Sequence, residues 1–267
     1  MEVVGVVHLP RLPYTDTRED FDLDRVLEAV LRDVSVLERL GYDGVVVENY
    51  GDSPYPKRLR DPLALSTLAV IVRGVVKSTS MRVGVNVLRN SGREAYAIAV
   101  ATGARFIRVN ALTETIVSDS GLIEPEAPRL RAIRRNYGGV EVYADVLVKH
   151  AGSLSLLAYS ASGKSAEAFW DALREVVHDT VERGGADKVV LTGYRTGEAP
   201  EPGFVERVRG LTRAPLVLGS GATPENIGLY KKYVDGVIVG SYIKVGGRAG
   251  NPVDEERARA FIRAARG

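Results

Sequence analysis

The chain contains no cysteine, which removes disulfides, thiolate nucleophiles and thiolate metal sites together. Glutamine is also absent and lysine is scarce beside arginine, a balance that fits a thermophile depleted in thermolabile amides and equally a GC-rich genome. Neither sign of charge is in excess, since 36 Lys and Arg against 34 Asp and Glu leave a formal net charge of +2. With no basic run interleaved with aromatics there is no footprint for a polyanion. Nucleic acid is therefore not expected as a partner, whereas a small anionic ligand is. No apolar run reaches membrane-spanning length, and the first residues enter a strand without a basic segment and a signal-length apolar stretch. Membrane insertion is not expected, and the expected location is the cytoplasm.

What is present is apolar content of 45% over 267 residues, enough for one large core and a normal length for an α/β barrel. Short β-branched runs alternate with longer amphipathic ones. Strands are predicted over 3–8, 44–48, 82–88, 106–112, 141–148, 188–192, 215–219 and 237–240. After the first, Leu23, Val26, Leu27, Val30, Leu31, Val34 and Leu37 recur at helical spacing. Further helices are predicted over about 61–79, 93–102, from 124, from 166, 203–211, 224–233 and 254–266. Eight strands, each followed by a helix, predict a single-domain (β/α)₈ TIM barrel. Parallel strands need crossover helices on the outside. The alternative is a doubly wound open sheet, because periodicity alone does not prove closure.

In this fold the functional groups lie at the C-terminal ends of the strands. Gly219-Ser220-Gly221 and Gly240-Ser241 end the seventh and eighth strands, with Thr192-Gly193 at the sixth, so Gly193, Gly219, Ser220, Gly221, Gly240 and Ser241 are predicted to hold a phosphate on backbone N–H groups. Thr223 is expected to cap a helix beginning at Pro224, aiming its N-terminus at the same spot. Glu48 and Asp145 each end an apolar run; partial desolvation would raise their pKa into a useful proton-transfer range. They are predicted as the catalytic acid and base, with His8 as a third catalytic or ligand-contacting group. The bland reading pairs the two acids with Arg108 or Lys149. Asn49, Asp52, Asn86, Arg108, Asn110 and Thr192 are predicted to contact substrate. Lys149 could form a Schiff base, but is read as a counter-ion for Asp145 or a phosphate.

Two further readings compete with this. Glu48, Asp52 and Asp145 with water would suit a divalent cation such as magnesium, but nothing in their spacing demands one, and no cofactor is predicted. Residues 158–165 approximate a phosphate-binding nucleotide loop with alanine in place of the first glycine. The preferred reading of that stretch is a mobile lid that offers Lys164 to a substrate anion.

The order of short motifs is itself informative. Val7-His8-Leu9-Pro10, Val47-Glu48-Asn49-Tyr50-Gly51-Asp52, Arg108-Val109-Asn110, Ala144-Asp145-Val146, Lys149-His150-Ala151, Thr192-Gly193, Gly219-Ser220-Gly221 and Gly240-Ser241 follow one another along nearly the whole chain. In that order they resemble the BtpA/SgcQ family of the ribulose-phosphate-binding barrels. The resemblance implies the barrel. Of function it implies less, since one member is named for photosystem I accumulation and others are described as nucleosidase-like or nucleotide-hydrolysing. Ser118-Asp119-Ser120-Gly121 matches a family stretch that usually has glutamine where Ser120 stands. The expected function is an enzyme of phosphorylated sugars or phosphoribosyl compounds, by isomerisation, retro-aldol or N-glycosidic cleavage. The alternative is a ligand-sensing or assembly factor without turnover; nucleotide hydrolysis ranks below both. A homo-oligomer through the outer helices is compatible with the fold, but no residue pattern specifies one.

Overall fold

A computed structural model describes residues 1–17, 20–154, 156–157, 166–193 and 197–267. Their elements, in chain order, are β1 (Glu2–His8), α1 (Leu23–Arg39), β2 (Gly44–Glu48), α2 (Pro62–Ser78), β3 (Arg82–Asn86), α3 (Gly92–Thr102), β4 (Phe106–Val109), β5 (Ile116–Ser118) and β6 (Gly121–Ile123). There follow α4 (Ala127–Asn136), β7 (Glu141–Val146), β8 (Ala151–Ser153), α5 (Ala166–His178), β9 (Lys188–Leu191), α6 (Pro202–Arg209), β10 (Leu216–Leu218), α7 (Ile227–Tyr230), β11 (Gly236–Val239) and α8 (Glu255–Arg266). Eight strands close a parallel ring in the order β1-β2-β3-β4-β7-β9-β10-β11, and β11 returns to β1 through Val3 opposite Val237. The open doubly wound sheet is excluded by that closure. Among the described residues no helix is long and apolar enough to cross a membrane.

Alternation along each strand sorts side chains into two cores. Val4, Val6, Val46, Phe106, Tyr143, Val190, Val217 and Ile238 fill the barrel interior, while the larger cluster, including Val45, Val47, Leu68, Ile71 and Ile107, lies between strands and helices. Phe106 stacks on Tyr143 with ring centroids 4.4 Å apart. Gly84 makes this layer possible, because a Cβ there would stand 2.1 Å from the Phe106 ring. Beneath the layer Glu2 takes Arg82 (3.0 Å) and Lys188 and accepts from the Tyr143 hydroxyl, so the floor of the barrel is a paired ionic plug. Aspartates start three of the helices: Asp22, Asp61 and Asp254 accept first-turn N–H groups of α1, α2 and α8.

Several boundaries differ from the sequence prediction. β3, β4 and β7 stop at Asn86, Val109 and Val146, each short of its apolar run, because the residues beyond turn into the loops of the mouth. The helix expected from 124 begins at Ala127; before it β5 and β6 form a hairpin, and β8 pairs with β5 to make a three-stranded antiparallel sheet. The helix expected over 224–233 is only the four residues of α7. Thr223 does not cap it: its N–H donates to Asn226 Oδ1 (2.8 Å) while Asn226 Nδ2 donates to Gly221 O (2.9 Å). The segment is a turn, and no helix N-terminus supports the predicted phosphate site.

Candidate active site

The interior alternation that places Val46 and Phe106 in the core places the next inward residues at the mouth. Register joins them directly: His8 lies opposite Glu48, Glu48 opposite Asn86, and Asn86 opposite Arg108. Asp145, two residues past Tyr143, continues the same layer. Five predicted residues thus meet on one ring of polar groups above an apolar core. A cavity of about 290 Å³ opens over it, lined by Glu48, Asn86, Arg108, Asn110 and Lys149 and by residues the sequence did not single out, among them Tyr50, Tyr55, Arg89 and Asp119.

The two predicted acids have different surroundings. Asp145 is buried and takes Arg108 on both oxygens, Nε to Oδ1 at 2.9 Å and Nη2 to Oδ2 at 3.0 Å. Burial opposes the charge of this guanidinium, but the Asp145 carboxylate outweighs it and raises Arg108 further above its ordinary value. Burial likewise pushes the Asp145 carboxyl up, with Arg108 opposing. A fork-to-fork pair of this kind is an orienting device, and it is the pairing of Asp145 with Arg108 that the bland reading of the sequence offered. Glu48 remains as the acid of the mouth. Its Oε2 accepts from Asn86 Nδ2 at 2.5 Å, and its Oε1 faces His8 Nε2 at 3.8 Å.

His8 is pushed down to about 4 by burial, and Lys244 adds to the effect while Glu48 opposes it. The ring is therefore neutral at ordinary pH. Its Nδ1 accepts the Gly250 N–H at 3.2 Å, which assigns the remaining proton to Nε2, on the side of Glu48. Lys244 is itself fully buried and fastened to Asp33 at 3.3 Å. Lys149 lies across the cavity; burial and the neighbouring Arg108 hold its ammonium below the usual lysine range.

Other predicted residues are consumed in building the loops. Asn49 donates to Asp52 Oδ2 (2.8 Å) and accepts the Leu88 N–H (2.7 Å), while Asp52 Oδ1 takes the Leu12 N–H (2.8 Å). Both are buried, and they clamp the first three strand ends together rather than facing a substrate. Thr192 does the same at β9, accepting the Lys149 N–H at 2.9 Å and donating to Leu147 O at 3.2 Å. Glu48, Asp52 and Asp145 are consequently not gathered, and no group of three metal-ligating side chains occurs among the described residues. Lys164, with residues 158–165, lies outside the described residues.

The predicted phosphate cradle divides. The N–H of Gly193 donates to Ser220 Oγ (3.0 Å), the N–H of Gly219 to Leu191 O (2.6 Å), and Ser220 Oγ donates to Glu198 O (2.9 Å). These three residues hold the loops. Gly221, Gly240 and Ser241 instead line a separate cavity of about 160 Å³, with Thr223 and Arg257. Gly221 has φ +72, and a Cβ there would meet the Ala199 nitrogen at 2.0 Å, so only glycine fits. Arg257, unremarked in the sequence, is carried by α8, its Nε bonded to Tyr242 O at 2.6 Å and its guanidinium 4.4 Å from the Tyr242 ring centroid. Its one sequence signal is its place three residues after the capping Asp254. His8 lines neither of these two cavities but a third of about 520 Å³ with Asp22 and Asp33; its Cε1 is 3.5 Å from where a Gly240 Cβ would be.

Comparison with known proteins agrees with the ordered motifs. Residues 1–267 match the BtpA family along their whole length. The chain belongs to that family. Relatives include a protein of Thermococcus kodakarensis, 40% identical over 99% of this chain and 95% of its own. Another is the Photosystem I biogenesis protein BtpA of Synechocystis, 39% identical over 98% of this chain and 87% of its own. Among solved structures, the barrel of this BtpA-family chain is similar to N-(5'-phosphoribosyl)anthranilate isomerase from Pyrococcus furiosus, with TM-score 0.58, 16% identity and coverage of 100% and 99% of the two chains. It is also similar to (S)-3-O-geranylgeranylglyceryl phosphate synthase from Thermoplasma acidophilum, solved with sn-glycerol-1-phosphate, with TM-score 0.58, 14% identity and coverage of 99% and 92%.

Proposed function

We propose that this BtpA-family barrel is an enzyme acting on a small phosphorylated sugar or phosphoribosyl compound by proton transfer next to a carbonyl carbon. The phosphate sits on the backbone around Gly221, Gly240 and Ser241 with Arg257 as its counter-charge, and the reacting end enters the cavity over Glu48. The observation that carries this is the position of His8, which touches the Gly240 side with one edge and faces Glu48 with the other. One small molecule spanning both cavities would bridge those two sides. The fold neighbours named for a phosphoribosyl compound and a glyceryl phosphate support the choice of substrate class.

The chemistry follows from the charge states. Glu48, steadied by Asn86, accepts a proton from the carbon beside the carbonyl. Neutral His8 keeps its Nε2–H as a hydrogen-bond donor toward developing negative charge, which an imidazolium would hold no longer than its first proton loss. The Arg108–Asp145 pair is neutral as a whole and presents oriented N–H groups without exchanging protons. Isomerisation and retro-aldol cleavage share this first step; N-glycosidic cleavage is the third outcome the residues permit.

A second reading has its own observation, the naming of the Synechocystis relative for photosystem I biogenesis: a barrel that binds a ligand as an assembly factor without turnover. A thermal-shift and turnover screen of sugar phosphates separates the two. We expect a stabilising hit that Ser241→Asp abolishes and whose conversion Glu48→Gln reduces on the order of a hundredfold or more. Stabilisation undiminished in Ser241→Asp removes the phosphate placement, and binding without conversion in the wild type favours the assembly reading.

A further inference from the structure

We propose that Lys149 is the nucleophile of this barrel, its Nζ adding to the carbonyl carbon of the bound substrate to form an imine. The inference rests on the reading above in one respect, that the substrate carries a carbonyl group.

A lysine beside acids is ordinarily a counter-ion, and Asp145 is the acid the sequence offers it. Arg108 occupies both oxygens of Asp145 instead, and no ion pair joins Lys149 to a described carboxylate. The other interior lysines are of a different kind: Lys188 is paired with Glu2 and Lys244 with Asp33. Lys149 thus lines the mouth cavity with Glu48, Asn86 and Asn110 and no charge of its own to neutralise. Burial, and Arg108 close by, work against its ammonium form and leave more of the free amine that a carbonyl requires.

The backbone singles out the same residue. Lys149 lies between Leu147 at φ 57 and His150 at φ 59, the two non-glycine residues of positive φ among those described. Such a backbone conformation is unfavourable for a residue with a side chain and persists where its surroundings hold it in place. Thr192 provides the hold, bonding the Lys149 N–H and the Leu147 carbonyl through one hydroxyl. Strain of this kind does nothing for a surface counter-ion. It fixes the direction in which a reacting amine enters the cavity.

The step balances without a further reagent. The amine lone pair forms the N–C bond as the carbonyl π pair moves to oxygen, and a proton passes from nitrogen to that oxygen by way of Glu48. Glu48 then gives the hydroxyl the proton it first took from the Lys149 ammonium, water leaves as the C–O bond breaks, and the last N–H proton stays on the nitrogen as C=N forms. Protonated at nitrogen, the imine accepts the electron pair released when a C–H or C–C bond beside it breaks, which is the chemistry the Glu48 base needs.

Formaldehyde with cyanoborohydride, applied to the full chain near neutral pH, serves as a carbonyl probe that does not depend on the true substrate, and peptide mapping reads each lysine. Lys149 is expected to be alkylated on the order of tenfold faster than the exposed Lys57 and Lys77, with the fast adduct missing in Lys149→Arg. A rate at Lys149 no greater than at Lys57 and Lys77 overturns the proposal. Glyceraldehyde 3-phosphate and glyceraldehyde, trapped in the same way, then separate the two readings. A phosphate preference lost in Ser241→Asp supports both. Fast trapping at Lys149 by either compound alike retains the imine and removes the phosphate placement.

Discussion

His8 is a base whose charge the fold suppresses, and that suppression has a sign. Its folded value of about 4 lies below the ordinary 6.5, so between these pH values the unfolded chain binds the additional proton. The stability contributed is complete above the unfolded pKa and is lost as pH falls toward the folded one, on the order of 3 kcal/mol in all. We expect urea unfolding to show a steeper loss of stability between about pH 7 and pH 5 in the wild type than in His8→Gln. Equal slopes would mean that His8 is not buried neutral. At this scale the strand-end acids were legible in sequence, because a carboxylate ending an apolar run has few reasons to be there. Which of them is free was not. Arg108 lies two residues before Asn110 and could have met Glu48, Asp145 or a ligand; register sets it opposite Tyr143, and only its side-chain contacts decide for Asp145.

Among the elements, α8 links fold and site. Asp254 accepts the Glu256 and Arg257 N–H groups at 3.0 and 3.1 Å, so the cap that starts the helix also sets the backbone from which Arg257 reaches the small cavity. Asp254→Ala should cost about 1 kcal/mol and weaken binding of a sugar phosphate, whereas Asp254→Asn should preserve both. Isothermal titration beside thermal melting tests this, and full affinity in the alanine variant would detach Arg257 from the ligand. Helices and strands of this kind were readable from their period and their capping residues: Asp61 with Pro62 marks α2 within a residue of its observed start. The hairpin β5–β6 was not readable, since three-residue strands show no period and their partner, β8, lies beyond α4 and β7. The loop-borne Arg89 was missed for a similar reason. It stands 4.9 Å over Tyr55 and pairs with Asp119 at the hairpin turn, contacts made by three separate loops.

The whole molecule divides its labour between two ends. At the floor, Glu2 binds Arg82, Lys188 and Tyr143 below the Phe106–Tyr143 layer; at the mouth, Glu48 accepts from Asn86 and faces His8. Glu2→Gln should therefore destabilise the fold by roughly 1–3 kcal/mol and leave ligand affinity unchanged, while Glu48→Gln should spare stability and remove turnover. Melting temperature and kcat measured on both variants would show the crossing pattern, and loss of kcat in Glu2→Gln at a temperature where it is folded would contradict it.

Closure of the ring between β1 and β11 sets His8 against Gly240, one from each extreme of the described chain. On the proposed placement of the phosphate, a chain without β11 would lack Gly240 and with it one wall of the smaller cavity. A ligand that spans the two cavities would therefore act as a clasp across the seam, recognising the closed ring and slowing the opening of that joint.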